Sequence, residues 1–148
     1  MAILVEVSDT QGHLRFDHAT LVRLVERVLT AEGRTDASIS IALVDNATIR
    51  ALNRQHLDHD WPTDVISFPL SGADEPVLAG EVVVSVEMAV RTAGELGTDP
   101  ANELRLYVVH GLLHLCGYDD LVEEHAFGMR RREKELLALA HRKGLSHD

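Results

Sequence analysis

The stretch HGLLHLCGYDD, residues 110–120, holds the residue types from which a metal centre can be built. His110 and His114 are four apart, so on a helix their imidazoles project from one face. Zinc peptidases that use such a pair place a glutamate directly after the first histidine as general base. Gly111 stands there instead, which argues against peptidase chemistry. A third ligand is then needed. Gly117 readily takes the left-handed conformation just past a helix end, so the chain can reverse and return Tyr118, Asp119 and Asp120 to the histidine face. The spacing is that of zinc helices whose third ligand follows the turn glycine by three residues. A carboxylate oxygen binds zinc at close to the distance of an imidazole nitrogen. Asp120 therefore completes three protein ligands and leaves a fourth position open. His125, inside the next helical pattern, is the rival third ligand. Without metal, the same residues read as core imidazoles bonded to backbone carbonyls, followed by a solvated acidic turn.

The elements that must hold these groups follow from periodicity. Residues 101–116 are apolar nearly all round (Leu104, Leu106, Tyr107, Val108, Val109, Leu112, Leu113, Leu115), which predicts a buried helix. Asp99 and Pro100 suit its start. Two imidazoles on such a helix need common partners, and a cation is the simplest. Upstream, residues 2–8 alternate as a strand, and residues 18–32 have helical spacing with Gly33 as the stop. Ile39, Ile41 and Leu43 mark a second strand. Asp45 or Asn46 caps a short helix running through Asn53 and Gln55. A loop rich in His, Asp and Pro covers 56–63. DVISFPL reads as a third strand and EVVVSV as a fourth. Residues 87–96 and roughly 121–142 complete the helices. Four strands with interspersed helices give an α/β or α+β domain.

The bulk properties narrow the classes. A chain of 148 residues, 45% apolar and 26% charged, suits one soluble globular domain with a real core. No apolar run approaches the roughly 20 residues of a membrane span. The N-terminus lacks the basic region of a signal peptide, and the single cysteine, Cys116, excludes an internal disulfide; both fit a reducing cytoplasm. The net charge of −10 disfavours loose binding to polyanions, so a nucleic-acid substrate would require a metal or a local basic patch.

Three segments occur in a telling order: LNRQHLDHDWPTDVISFPL (52–70), AGEVVVS (79–85) and ELRLYVVHGLLHLCGYD (103–119). Together they resemble the YbeY endoribonucleases, single-domain bacterial metalloenzymes that mature ribosomal RNA. The likeness covers most of the chain after residue 40. It implies an α+β fold across 1–148, with a small mixed four-stranded sheet packed on a buried metal helix. It implies one zinc ion per chain, and cleavage of single-stranded RNA in ribosomal RNA maturation, at the 3′ end of 16S rRNA, and in ribosome quality control. RNA and the ribosome would be the partners, with no membrane and no DNA. The absent glutamate at Gly111 agrees with that family. Two positions depart from it. The third ligand is usually histidine, where this chain has Asp120. An arginine thought to act in catalysis usually precedes Pro-Thr-Asp, where this chain has Leu57; Arg54, His56 and His59 lie nearby in sequence.

For RNA hydrolysis, His110 carries the centre, and Arg54, Thr63 and Ser67 are the candidate helpers, the last two as hydroxyl donors to phosphate. Ser67 reads equally as a buried strand residue. Trp61 and Phe68 offer stacking surfaces, although Phe68 also suits the core. Arg130, Arg131 and Arg132 can attract phosphates, or form a solvated face with Glu133 and Glu135. A metalloprotease-like hydrolase and a non-catalytic, ribosome-associated module with structural zinc are the competing functions.

Overall fold

The structure, a computed structural model, describes residues 2–57 and 64–142; the side chains of residues 56–57 and 140–142 are outside that description. Its elements run β1 (Ile3–Asp9), α1 (His18–Ala31), β2 (Ala37–Val44), α2 (Asn46–Leu57), β3 (Val65–Pro69), β4 (Leu78–Ser85), α3 (Val86–Leu96), α4 (Pro100–Leu115) and α5 (Glu123–Arg142). The four strands form one mixed sheet in the order β1-β2-β4-β3. β1, β2 and β4 are parallel, whereas β3 runs antiparallel to β4 at the edge. This is an α+β domain with the small four-stranded mixed sheet that the family resemblance implies.

Side-chain alternation assigns each sheet face. Ile39, Ile41 and Leu43 of β2 and Val82 and Val84 of β4 enter the main core with α1, α4 and buried residues of α3 and α5. Val44, Val83 and Ile66 point the other way, into a smaller cluster with Ile49 of α2. Phe68 packs half-buried against that cluster, so its ring serves the fold. Helix α4 is central. Leu104, Val108, Val109, Leu112 and Leu113 have no exposed surface, as its all-round apolar sequence requires.

Helix boundaries follow capping chemistry. The Asp99 carboxylate accepts the Ala101 N–H at 3.0 Å, with Pro100 in the first turn of α4. Of the two candidate caps for α2, Asp45 takes the role: it accepts the Thr48 N–H at 2.8 Å, and that bond lowers its pKa. Asn46 instead receives the buried Ser85 hydroxyl, which also accepts the Met88 N–H and so starts α3. Among the described residues no helix is long and apolar enough to cross a membrane.

Candidate metal centre

Helix α4 ends so that the chain turns back on its own last turn. Gly117 has φ 102°, a left-handed value that strains any residue with a Cβ. Its N–H donates to His114 O at 3.0 Å, and the Tyr118 N–H donates to Leu113 O at 2.9 Å. This pair of bonds closes the helix and directs residues 118–120 toward the histidines. The result is a cluster in which one ligand atom each of His110, His114 and Asp120 lie within 4.8 Å of one another. His125 takes a different partner: its Nδ1 is 2.9 Å from Asp119 Oδ1. Asp119 also accepts the Leu121 N–H, and that bond, followed by His125, lowers its pKa. The two aspartates thus have separate tasks. Asp119 shapes the turn and Asp120 faces the histidines.

Hydrogen bonding sets the imidazoles for a cation. His114 Nδ1 lies 3.1 Å from Tyr118 O; a carbonyl only accepts, so Nδ1 carries the proton and Nε2 presents a lone pair. His110 Nδ1 lies 2.5 Å from Glu133 Oε2, which assigns the same tautomer when the ring is neutral. The two Nε2 atoms then face each other at 3.1 Å. Two lone pairs at that distance repel unless a proton or a metal ion lies between them. Nitrogens bound to one tetrahedral zinc at about 2.05 Å would be about 3.3 Å apart, close to the spacing present. Asp120 adds a third donor, for which a shared proton has no use. The donor set therefore fits a divalent metal.

Burial disfavours a charge on His110, but the Glu133 carboxylate, helped by Asp64 and Asp120, outweighs it and raises the pKa above 6.5. Protons therefore compete with metal at this ring. Zinc uptake is expected to be weaker at about pH 6 than at about pH 8 and to release protons, as a titration calorimeter in two buffers would show.

Glu133 is the residue of the candidate site whose surroundings sequence reading misjudged. Its position beside Arg130–Arg132 suggested a solvated face, yet it is 6% exposed and bonded to His110 of the candidate centre. The available signal was helical phase: Met129, Glu133 and Leu136 share the buried side of α5. Arg132 is likewise part of the frame. Its Nε donates to Glu32 Oε2 at 2.6 Å and its guanidinium to Ala31 O, which joins α5 to the end of α1 and holds Glu133 in reach. Glu133→Gln is expected to weaken zinc binding roughly 10- to 100-fold with both histidines intact, by competition with a chromophoric chelator. An affinity equal to wild type would make the Glu133–His110 bond incidental.

The remaining candidates are placed as follows. Ser67 Oγ donates to Gly111 O at 2.8 Å, fastening the edge strand β3 to α4. Arg54 is exposed on α2, on the sheet face opposite α4. Thr63, Trp61 and His59 lie outside the described residues, as do the side chains of His56 and Leu57. Gly111 sits where α4 meets the sheet. A Cβ there would be 2.5 Å from Val82 Cγ1 and 3.0 Å from Val65 Cγ2. The glutamate of a peptidase helix has no room at this position.

Fold and site together define an α+β domain whose central helix presents a two-histidine, one-carboxylate cluster able to hold a metal ion. A family model described as Endoribonuclease YbeY matches residues 6–141. Curated proteins of that name include one from Pelotomaculum thermopropionicum, 44% identical with 90% of this chain and 94% of the relative covered. Another, from Bacillus licheniformis, is 35% identical over 99% and 98%. The solution structure of TM1509 from Thermotoga maritima matches with TM-score 0.63 and 25% identity, covering 98% of this chain and 97% of that one. The chain belongs to the YbeY endoribonuclease family.

Proposed function

We propose that this protein is a zinc-dependent endoribonuclease that cleaves single-stranded RNA during ribosomal RNA maturation, at the 3′ end of 16S rRNA, and in ribosome quality control. The convergence of His110 Nε2, His114 Nε2 and Asp120, within a chain that belongs to this family, carries the reading. His110, His114 and Asp120 would hold one zinc ion. When bound, zinc supplies Lewis acidity toward a phosphoryl oxygen and lowers the pKa of water toward about 7.

The chain's own contributions are positional. Glu133 and the Tyr118 carbonyl keep a proton on each Nδ1, so both Nε2 atoms stay available. Asp120 is exposed while both histidines are half-buried, so the cluster opens on one side and a scissile phosphate can approach from there. Thr63 remains a candidate helper for that phosphate, whereas Arg54 would have to reach it around the β3 edge from the opposite sheet face. Ser67 can accept a further hydrogen bond, but its proton is held by Gly111. The metalloprotease alternative meets the packing at Gly111, which leaves no place for the general base. The non-catalytic alternative is separated by experiment. Purified protein is expected to cleave a single-stranded ribosomal RNA fragment, to lose this on chelation and to regain it with zinc, while leaving casein intact. Bound zinc without cleavage would instead support the structural-metal module.

The same site should stabilise the fold. A metal held between α4 and the turn after it binds the native state and not the unfolded chain. Chelation is expected to lower the melting temperature by roughly 5 °C or more. An unchanged melt for protein shown to be metal-free would place the metal elsewhere.

A further inference from the structure

Helix α5 turns Glu133 toward the metal centre and presents a different group of residues on another face. Phe127, Arg130, Arg131 and Lys134 follow one another at i, i+3, i+4 and i+7, and together line a cavity of about 160 Å³. Phe127 is 60% exposed, and Arg130, Arg131 and Lys134 are all exposed. None of these three cations forms an ion pair among the described residues, whereas Arg132 beside them is fully engaged by Glu32 and Glu135. The chain has 24 acidic residues against 14 Lys and Arg, so acidic partners are plentiful elsewhere on the molecule. Like charges at i, i+3 and i, i+4 weaken a helix, and an exposed phenyl ring adds nothing to it. Both features suit a ligand that offers phosphates and flat bases.

We propose that this face of α5 is a subsite for single-stranded RNA, in which a base stacks on Phe127 and backbone phosphates pair with Arg130, Arg131 and Lys134. It rests on the RNA-cleaving reading above and extends it to the flank of the strand held at the histidines. The geometry permits continuity. Phe127 and Lys134 lie six residues before and one after Glu133, so the face spans about 10 Å along the axis. Its centre is roughly a third of the way round the helix from Glu133. A strand whose phosphate is at His110 can therefore reach the subsite within a few nucleotides. The pairing of an aromatic platform with a short row of cations is what sequence-independent single-strand binding uses. It also explains how a chain of net charge −10 can retain a polyanion: the attraction is local, and the acidic excess discourages contacts elsewhere.

The test measures binding separately from cleavage. A fluorescein-labelled 12-nucleotide 2′-O-methyl phosphorothioate oligoadenylate, which resists hydrolysis, is titrated by anisotropy with the full chain at several salt concentrations, with gels confirming that the probe stays intact. Three phosphate contacts on a single strand contribute a slope of about −2 to log affinity against log salt. The triple variant Arg130→Gln, Arg131→Gln, Lys134→Gln is expected to lose that portion of the slope and at least tenfold in affinity at low salt. Phe127→Ala should lose roughly five- to hundredfold in affinity with the slope unchanged. All four positions are exposed, so both variants should keep the wild-type melt, which is checked in parallel. A triple variant with wild-type affinity and slope overturns the assignment, and the face would then belong to a protein partner or to solvent. RNA bound through α5 by a chain that cleaves nothing would refute the catalytic reading alone. Normal cleavage with an unchanged salt slope would refute the α5 subsite alone.

Discussion

Gly111→Glu is expected to prevent folding rather than create a peptidase. The α-hydrogen of Gly111 faces Val82 and Val65, and a Cβ would already be 2.5 Å from Val82 Cγ1. Neither valine can yield easily. Val82 is fully buried in the central strand β4, and Val65 pairs with Val84 in β3. Adding one methyl to such a contact typically costs about 1–3 kcal/mol. A glutamate adds one further methylene and a carboxylate with no partner in an apolar layer, a cost of several kcal/mol more. Against a typical total stability of about 5–15 kcal/mol, the sum removes most or all of it. The helix would also have to move off β3, breaking the bond from Ser67 Oγ to Gly111 O. Far-UV circular dichroism and solubility of the expressed variant measure the outcome. A soluble variant with a wild-type melt would show that α4 and the sheet separate more readily than their packing implies. Gly111→Ala is the graded control, expected to fold with a clearly lowered melting temperature.

Asp120→Ala is expected to cost the metal site most of its affinity while leaving the fold of the metal-free chain almost unchanged. Asp120 is exposed, so its removal leaves no cavity. If it is the third ligand, its loss leaves only two imidazoles and takes the negative charge from the site. A fall of at least two orders of magnitude in zinc affinity is the expected scale, about 3 kcal/mol or more. Asp119→Ala should have a smaller effect, because Asp119 works through the Leu121 N–H and His125 and not at the cluster. His125→Ala should be nearly silent in metal binding. Asp120→His should keep one zinc per chain, since the two ligand types reach similar distances. Competition titrations against a chelator of known affinity rank the four variants. If His125→Ala strips the metal and Asp120→Ala does not, the ligand set is His110, His114 and His125, and the turn after Gly117 rearranges on binding.

Much of the site was legible because its logic is local. The i, i+4 pair His110–His114 lies on one helix face whatever the rest of the chain does, and Gly117 marks the reversal that returns Asp120. Capping chemistry located the start of α4 at Asp99, and alternation located the strands, because each depends on neighbours within a few residues. The order of the sheet was not local. β4 lies between β2 and β3, and nothing in the strand sequences states which edges pair.

The residues misjudged or left open from sequence share one property: their roles depend on contacts across the fold. Glu133 is 23 positions from His110, and only the packing of α5 on α4 turns its carboxylate into a partner of that ring. Arg132 looked like one of three equivalent cations until the end of α1 arrived beside it, 100 positions away in the chain. Ser67 and Gly111 meet over 44 positions, so neither the committed hydroxyl nor the missing space for a Cβ is written in either segment. The sequence by itself determined the donor types, their spacing and the turn that gathers them, since backbone geometry over a few residues suffices for that. Tertiary structure alone decided which nitrogen of His110 is free and why residue 111 is glycine. Those answers lie in Glu133, Val82 and Val65, which reach helix α4 only after the sheet and helices have packed.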